Sequence, residues 1–146
     1  MINILFCGNS GVFDGVLTCA LSLFMRSDTK EPFHFMLYTM DLRDLKENYT
    51  PISDEQVSFF DKVIKEYNPL NTVEKFDVTP FYNEEFRNSP NEQCYCSPYT
   101  LLRLFADRID TMPDKFLYLD ADIMFNRDLR LLYDIDVTPY AYAAAN

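Results

Sequence analysis

Two aspartates one residue apart, Asp120-Ala121-Asp122, stand directly behind the apolar run Phe116-Leu117-Tyr118-Leu119. A run of that kind reads as a buried strand, which puts Asp120 at its carboxyl end. Side chains two positions apart on extended backbone share a face, so Asp122 points with Asp120 as long as the chain stays extended. Two converging carboxylates make a hard oxygen site suited to Mn²⁺ or Mg²⁺. A cation held there can bridge phosphate oxygens and neutralise the charge on a departing diphosphate. Such triplets arise readily when 23 of 146 residues are acidic, and Asp134-Ile135-Asp136 is a second one. It follows a short helical turn, not an apolar strand, and is expected to be a solvated connection.

The other residues able to do chemistry give weaker signals. Gly8-Asn9-Ser10-Gly11 lies where a nucleotide would sit. It lacks the full dinucleotide fingerprint, however, and equally suits a plain strand-to-helix turn. Arg103 falls in a helix ahead of the Asp120 strand, at the i,i+4 spacing of a surface pair with Asp107. His34, the only histidine, has no His, Cys or Asp at ligand spacing and reads as structural. Cys7 closes its strand on the core side. Cys94-Tyr95-Cys96 leaves one residue between thiols, too few for the usual zinc pattern. The four cysteines therefore read as reduced thiols of a cytoplasmic protein.

The elements that must position these residues alternate strand and helix. Strands are expected at Ile2–Cys7, Phe33–Thr39, Thr72–Asp77, residues 115–119 and residues 140–144. A helix is expected over residues 12–25, although Gly15 interrupts its pattern. Ser53 and Gln56 form a capping box ahead of a second helix, whose apolar face is Val57, Phe60, Val63, Ile64 and Tyr67. Residues 80–96 look irregular, with room for one helical turn. Ser97-Pro98 starts a helix running to Ile109, and Leu129 to Tyr133 is a short helical turn. Alternation of this kind implies one α/β domain over residues 1–146, a mostly parallel sheet flanked by helices. Ligands of such sheets sit beyond the carboxyl ends of the strands. Both Gly8–Gly11 and Asp120–Asp122 lie there.

Composition narrows the function. The apolar share of 48% supports a core, and a formal net charge of −10 leaves no basic stripe for nucleic acid. The amino terminus has no basic flank ahead of a long apolar run, so it does not resemble a signal peptide. No apolar stretch approaches the roughly 20 residues that span a bilayer. Peripheral contact at the inner face of a membrane stays open, as does self-association.

Taken together, three blocks resemble glycosyltransferase family 8, the group that includes bacterial lipopolysaccharide galactosyl- and glucosyltransferases and glycogenin. They are Ile4-Leu5-Phe6-Cys7-Gly8-Asn9, Ser97-Pro98-Tyr99-Thr100-Leu101-Leu102-Arg103-Leu104-Phe105, and Asp114-Lys115-Phe116-Leu117-Tyr118-Leu119-Asp120-Ala121-Asp122-Ile123. The resemblance implies the GT-A fold, a Rossmann-like nucleotide-diphospho-sugar transferase architecture. It implies hexose transfer, with retention, from a UDP-sugar of the glucose or galactose class. The acceptor would be a saccharide of cell-surface or lipopolysaccharide type. On that likeness Asp120 and Asp122 hold Mn²⁺ and the diphosphate, and Asp120, close to the donor sugar, has a catalytic role. Arg103 contacts the donor, and Cys7 and Asn9 line the uridine pocket with Gly11 nearby. Asn9 and Val12 stand where the family often has an acidic residue and an aromatic. Family members run to roughly twice this length, within the usual domain range, and their later half supplies a metal-ligating histidine and much of the acceptor site. No histidine follows Asp122, so the resemblance is to the amino-terminal portion of such an enzyme. Two alternatives remain: a non-catalytic module binding a nucleotide or a protein, and a haloacid-dehalogenase-type phosphohydrolase, which also places D-x-D after a strand.

Overall fold

With Asn3 its one strongly polar residue, Ile2–Cys7 forms strand β1, and its run of buried side chains suits a strand covered on both faces. The computed structural model describes residues 1–90, 92 and 96–144. After a 3₁₀ turn at Ser10–Val12 come helix α1 (Phe13–Arg26), strand β2 (Phe33–Thr39), helix α2 (Asp54–Tyr67) and strand β3 (Thr72–Asp77). Helix α3 (Thr79–Glu85), a 3₁₀ helix (Pro98–Arg108), strand β4 (Leu117–Leu119) and helix α4 (Arg130–Tyr133) complete the order. The strands make one parallel sheet in the order β3-β2-β1-β4.

Alternation along the strands sorts side chains to two cores. Ile2, Ile4 and Phe6 of β1 join Phe33, Phe35 and Leu37 of β2 beneath α1 and α2. Leu5, Met36 and Tyr38 face the opposite way, against Tyr82 of α3 and the 3₁₀ helix. Phe35 meets Phe60 of α2 edge-on at 5.1 Å and Phe24 of α1 at 6.0 Å. Each such ring pair adds about 0.5–1.5 kcal/mol beyond burial. The capping box forms as expected, Ser53 accepting from the Gln56 N–H while the Gln56 side chain accepts from the Ser53 N–H. Asn71 is fully buried and satisfied at both ends: its Oδ1 accepts from Phe33 N at 2.8 Å, and its Nδ2 donates to the Ile64 carbonyl at 2.8 Å.

Four expectations need correction. The helix over residues 97–109 is wound as 3₁₀, not α. Tyr99, Leu102 and Phe105 are its buried residues after Pro98, and three-residue spacing forms a straight stripe only at three residues per turn. Strand β4 begins at Leu117 instead of Lys115, because the Lys115 carbonyl is taken by the Asn3 side chain at 3.0 Å and Tyr133 Oη at 3.3 Å, not by a ladder. Part of the supposedly irregular stretch is the seven-residue α3; Cys94 and Tyr95 lie outside the described residues. Residues 140–144 form no strand, and Tyr140 and Tyr142 are exposed. A strand needs a ladder partner, and none of the described strands pairs with this segment. No helix among the described residues is long and apolar enough to cross a membrane.

Candidate functional site

The chain runs from β1 outward through β2 to β3, then returns to lay β4 on the other side of β1. Strand order therefore reverses between β1 and β4, and a crevice opens beyond the carboxyl ends of strands at such a switch point. The two loops that leave these strands are Gly8–Gly11 and Asp120–Asp122. Phe6 pairs with Leu119, so one step further along the register brings Cys7 beside Asp120.

The first loop is held from several sides. Gly8 N donates to the Tyr38 carbonyl at 3.0 Å, and Ser10 N to the Thr50 carbonyl at 2.9 Å. Asn9 caps the 3₁₀ turn, its Oδ1 accepting from Gly11 N at 3.0 Å. The Gln56 amide that completes the α2 capping box also donates to the Ser10 carbonyl at 3.1 Å. Cys7 is partly buried. Burial pushes its thiol well above the ordinary range, with Arg103 pulling the other way and Asp120 adding to the rise. A thiol kept protonated is a poor nucleophile and a poor ligand. Cys7 packs against the core at the carboxyl end of β1.

The second loop turns at once. Residues 121 and 122 form a turn, so the extended backbone that would have aligned Asp122 with Asp120 ends at Asp120. Here α1 comes very close: a Cβ on Gly15 would lie 2.5 Å from the Ala121 carbonyl oxygen. The glycine that weakens α1 as a helix is thus what lets α1 seat against the acidic loop. Asp120 is exposed, with its Oδ1 accepting a short hydrogen bond from the Tyr118 phenol. Arg103 stacks over the Tyr118 ring at 4.1 Å, its Nη2 standing 3.7 Å from the same Oδ1. Burial, then the bond to Asp120, raises the Tyr118 phenol far above its usual value, so it remains a donor. Neither Oδ2 of Asp120 nor the exposed Asp122 carboxylate has a protein partner among the described residues. Free carboxylate oxygens at the sheet's carboxyl edge are the donor set a hard cation takes. No group of three or more His, Cys, Asp or Glu side chains gathers around a common point among the described residues.

Of the six candidate residues, the structure brings Cys7, Arg103 and Asp120 together, with Asp122 on the adjoining turn; Asn9 and Gly11 form the facing loop. Arg103 does not pair with Asp107, since 3₁₀ winding moves the i+4 residue off its face. The second triplet is consumed locally: Asp134 accepts from Arg130 Nε at 2.8 Å and Asp136 from Thr138 N at 2.9 Å. His34 shares a hydrogen bond with Thr72 Oγ1 at 2.8 Å, a structural role. Tyr118 and Gly15 were missed as site residues. Tyr118 could have been found from its position two residues before Asp120 on a strand, and Gly15 as a glycine breaking a helical pattern. A cavity of about 250 Å³ bordered by Phe24, Lys30, Glu31 and Asn68 lies at the other edge of the sheet, by the amino ends of β2 and β3.

A parallel sheet with this strand order and flanking helices is a Rossmann-like α/β architecture, here of the GT-A kind. The chain belongs to glycosyl transferase family 8, whose profile matches residues 3–146. It is 28% identical over 126 residues to a Haemophilus influenzae protein to which a glycosyltransferase role is ascribed, covering 86% of this chain and 34% of that one. It superposes on an active-site mutant of LgtC with a TM-score of 0.65 and 22% identity, over 94% of this chain and 43% of that one. A second structure, galactosyltransferase LgtC in complex with donor and acceptor sugar analogs, gives 0.66 and 22% over 93% and 43%. At that identity the likeness establishes the fold. The chain spans less than half the length of the relatives it matches.

Proposed function

We propose that this chain is the donor-binding part of a metal-dependent, retaining hexosyltransferase that takes a UDP-sugar of the glucose or galactose class and glycosylates a saccharide acceptor. The observation that carries the reading is the pairing of the Gly8–Gly11 and Asp120–Asp122 loops across the β1/β4 switch point. The loop after β1, with Cys7, Asn9 and Gly11, forms the wall for the nucleoside, and the free oxygens of Asp120 and Asp122 would hold Mn²⁺ or Mg²⁺. When bound, that cation supplies charge neutralisation for the diphosphate leaving group. Arg103 adds a fixed positive charge on the same side, within reach of donor oxygens. Asp120, at the meeting point of strand, arginine and cation, orients the donor at the transferring end. Family membership supports this chemistry and sets aside the phosphohydrolase alternative. The LgtC complex with donor and acceptor sugar analogs supports sugar substrates on both sides of the reaction. A site in the cytoplasm, at the inner face of the membrane, suits an acceptor destined for the cell surface.

The test is titration calorimetry of the full chain with UDP, with and without Mn²⁺. UDP is expected to bind only in the presence of Mn²⁺, and Asp120→Asn combined with Asp122→Asn removes that binding. If the double variant binds as the parent does, the site assignment is wrong. A purely nucleotide-binding module would bind equally well without the cation and show no donor hydrolysis or transfer.

A further inference from the structure

Two donors converge on one oxygen of Asp120. The Tyr118 phenol hydrogen-bonds Oδ1, and Arg103 Nη2 approaches the same Oδ1 at 3.7 Å, while Oδ2 meets no protein group among the described residues. At 3.7 Å the arginine is beyond hydrogen-bond length. What holds it there is visible: the Tyr118 ring lies under the guanidinium at 4.1 Å, and Arg103 Nε is tied to the Thr100 carbonyl at 3.0 Å. Arginine next to a carboxylate frequently closes into a bidentate pair, which occupies both oxygens. Such a pair would compete with a cation for Asp120 and withdraw the guanidinium from any anion. The Tyr118 hydroxyl already occupies Oδ1, and its ring face lies against the Arg103 guanidinium.

We propose that Tyr118 is a positioning residue of the nucleotide-sugar site: its phenol pins Oδ1 of Asp120 so that Oδ2 is left for the cation, and its ring holds Arg103 short of a closed ion pair, keeping the guanidinium for the donor's anionic or sugar oxygens. The inference rests on the reading above that Asp120 carries the cation and Arg103 faces the donor. It adds that one aromatic side chain separates the cation-binding and anion-binding halves of the site. Outer-shell partners of metal-binding carboxylates typically change affinity by about 10–100-fold when removed.

The experiment measures Mn²⁺ binding to the full chain by electron paramagnetic resonance of the free ion, without nucleotide, and UDP binding at saturating Mn²⁺. Tyr118→Phe keeps the ring under Arg103 and removes the hydroxyl, so Mn²⁺ affinity is expected to fall about tenfold. Arg103→Gln removes the competing charge, so Mn²⁺ alone binds as tightly as in the parent or tighter, while UDP binding weakens. These opposite responses are not produced by a general loosening of the fold, and circular dichroism of both variants checks that the fold is retained. If the parent itself binds no Mn²⁺, the underlying metal assignment fails. If the parent binds and a folded Tyr118→Phe binds within twofold of it, Tyr118 has no positioning role. Should Tyr118→Phe lose its structure, Arg103→Gln decides: weaker Mn²⁺ binding in that variant overturns the separation of the two halves.

Discussion

Replacing Gly15 with alanine puts a methyl carbon 2.5 Å from the Ala121 carbonyl oxygen and 3.2 Å from its carbonyl carbon. Both are backbone atoms, so no rotamer change relieves the contact. Ordinary contact starts near 3.4 Å, so α1 and the acidic loop must part by roughly 0.9 Å. In a helix with open space around it, the same substitution stabilises by ~1 kcal/mol. Overpacking a closed contact costs about 1–3 kcal/mol. The gain offsets only part of the cost, leaving a net loss of about 1 kcal/mol and a Tm lower by about 3 °C for a chain of this size. Function is expected to suffer more than stability. A displacement of about 1 Å at a positioned group costs on the order of 10²-fold where geometry governs. Thermal unfolding and Mn²⁺-dependent UDP titration on the same preparation separate the two effects. A Gly15→Ala protein that is stabilised by ~1 kcal/mol, as a free helix position would be, and that binds as the parent does, would refute the close approach of α1 to the loop.

Three further outcomes are expected. Asn71→Ala strands the Phe33 N–H in the core, while the Ile64 carbonyl keeps the Asn68 N–H at 3.2 Å, and urea unfolding should register a loss of about 2 kcal/mol; parental stability would show that water or rearrangement satisfies the Phe33 N–H. Asp128 is held below its ordinary carboxylate range chiefly by hydrogen bonds from the Asp28 and Arg130 backbone N–H groups. Its stabilising contribution is therefore present above the ordinary aspartate value of about 3.9 and lost as pH falls through the lower folded value. Asp128→Ala should flatten the acid-side decline of Tm below about pH 4, and an unchanged slope counts against the assignment. Native alkylation followed by mass spectrometry should modify exposed Cys96 quickly, while Cys19, whose thiol burial pushes up to about 11, and the higher Cys7 are protected. Labelling of Cys7 as fast as Cys96 would mean that its side of the crevice is open.

Patterns decided by nearest neighbours in the chain were legible in advance. β1 and β2 fall where their apolar runs lie, and the Ser53–Gln56 box forms because both partners are three residues apart. Strand context also separated Asp120 and Asp122 from Asp134 and Asp136, whose local hydrogen bonds the structure shows. What could not be read depended on distant partners. The Lys115 carbonyl leaves the ladder because Asn3 and Tyr133 claim it. The choice of 3₁₀ over α for Pro98–Arg108 follows from which face meets the sheet, and Arg103 turns to Tyr118 and Asp120 for the same reason. Gly15 read as a flaw in a helix until the chain it touches, more than a hundred residues later, was in place.

That distance has a consequence for when a binding site exists at all. Asn3 and Lys115, which join the ends of β1 and β4, are 112 positions apart in the chain, and the ladder they flank has three residue pairs. β1, β2 and β3 can form a sheet during synthesis well before β4 emerges, and that sheet holds only one of the crevice's two walls. Closing a loop this long carries one of the larger entropic costs in the fold, and contacts so remote in sequence form late. The same three rungs offer a route for the wall to lift away while the rest of the sheet stays folded. A ligand spanning both loops would therefore act as a clasp on the final step of assembly. At a hundred times its Kd it would add about 2.7 kcal/mol to that closure, so protection of β4 amides from hydrogen exchange would follow occupancy more closely than that of any other strand.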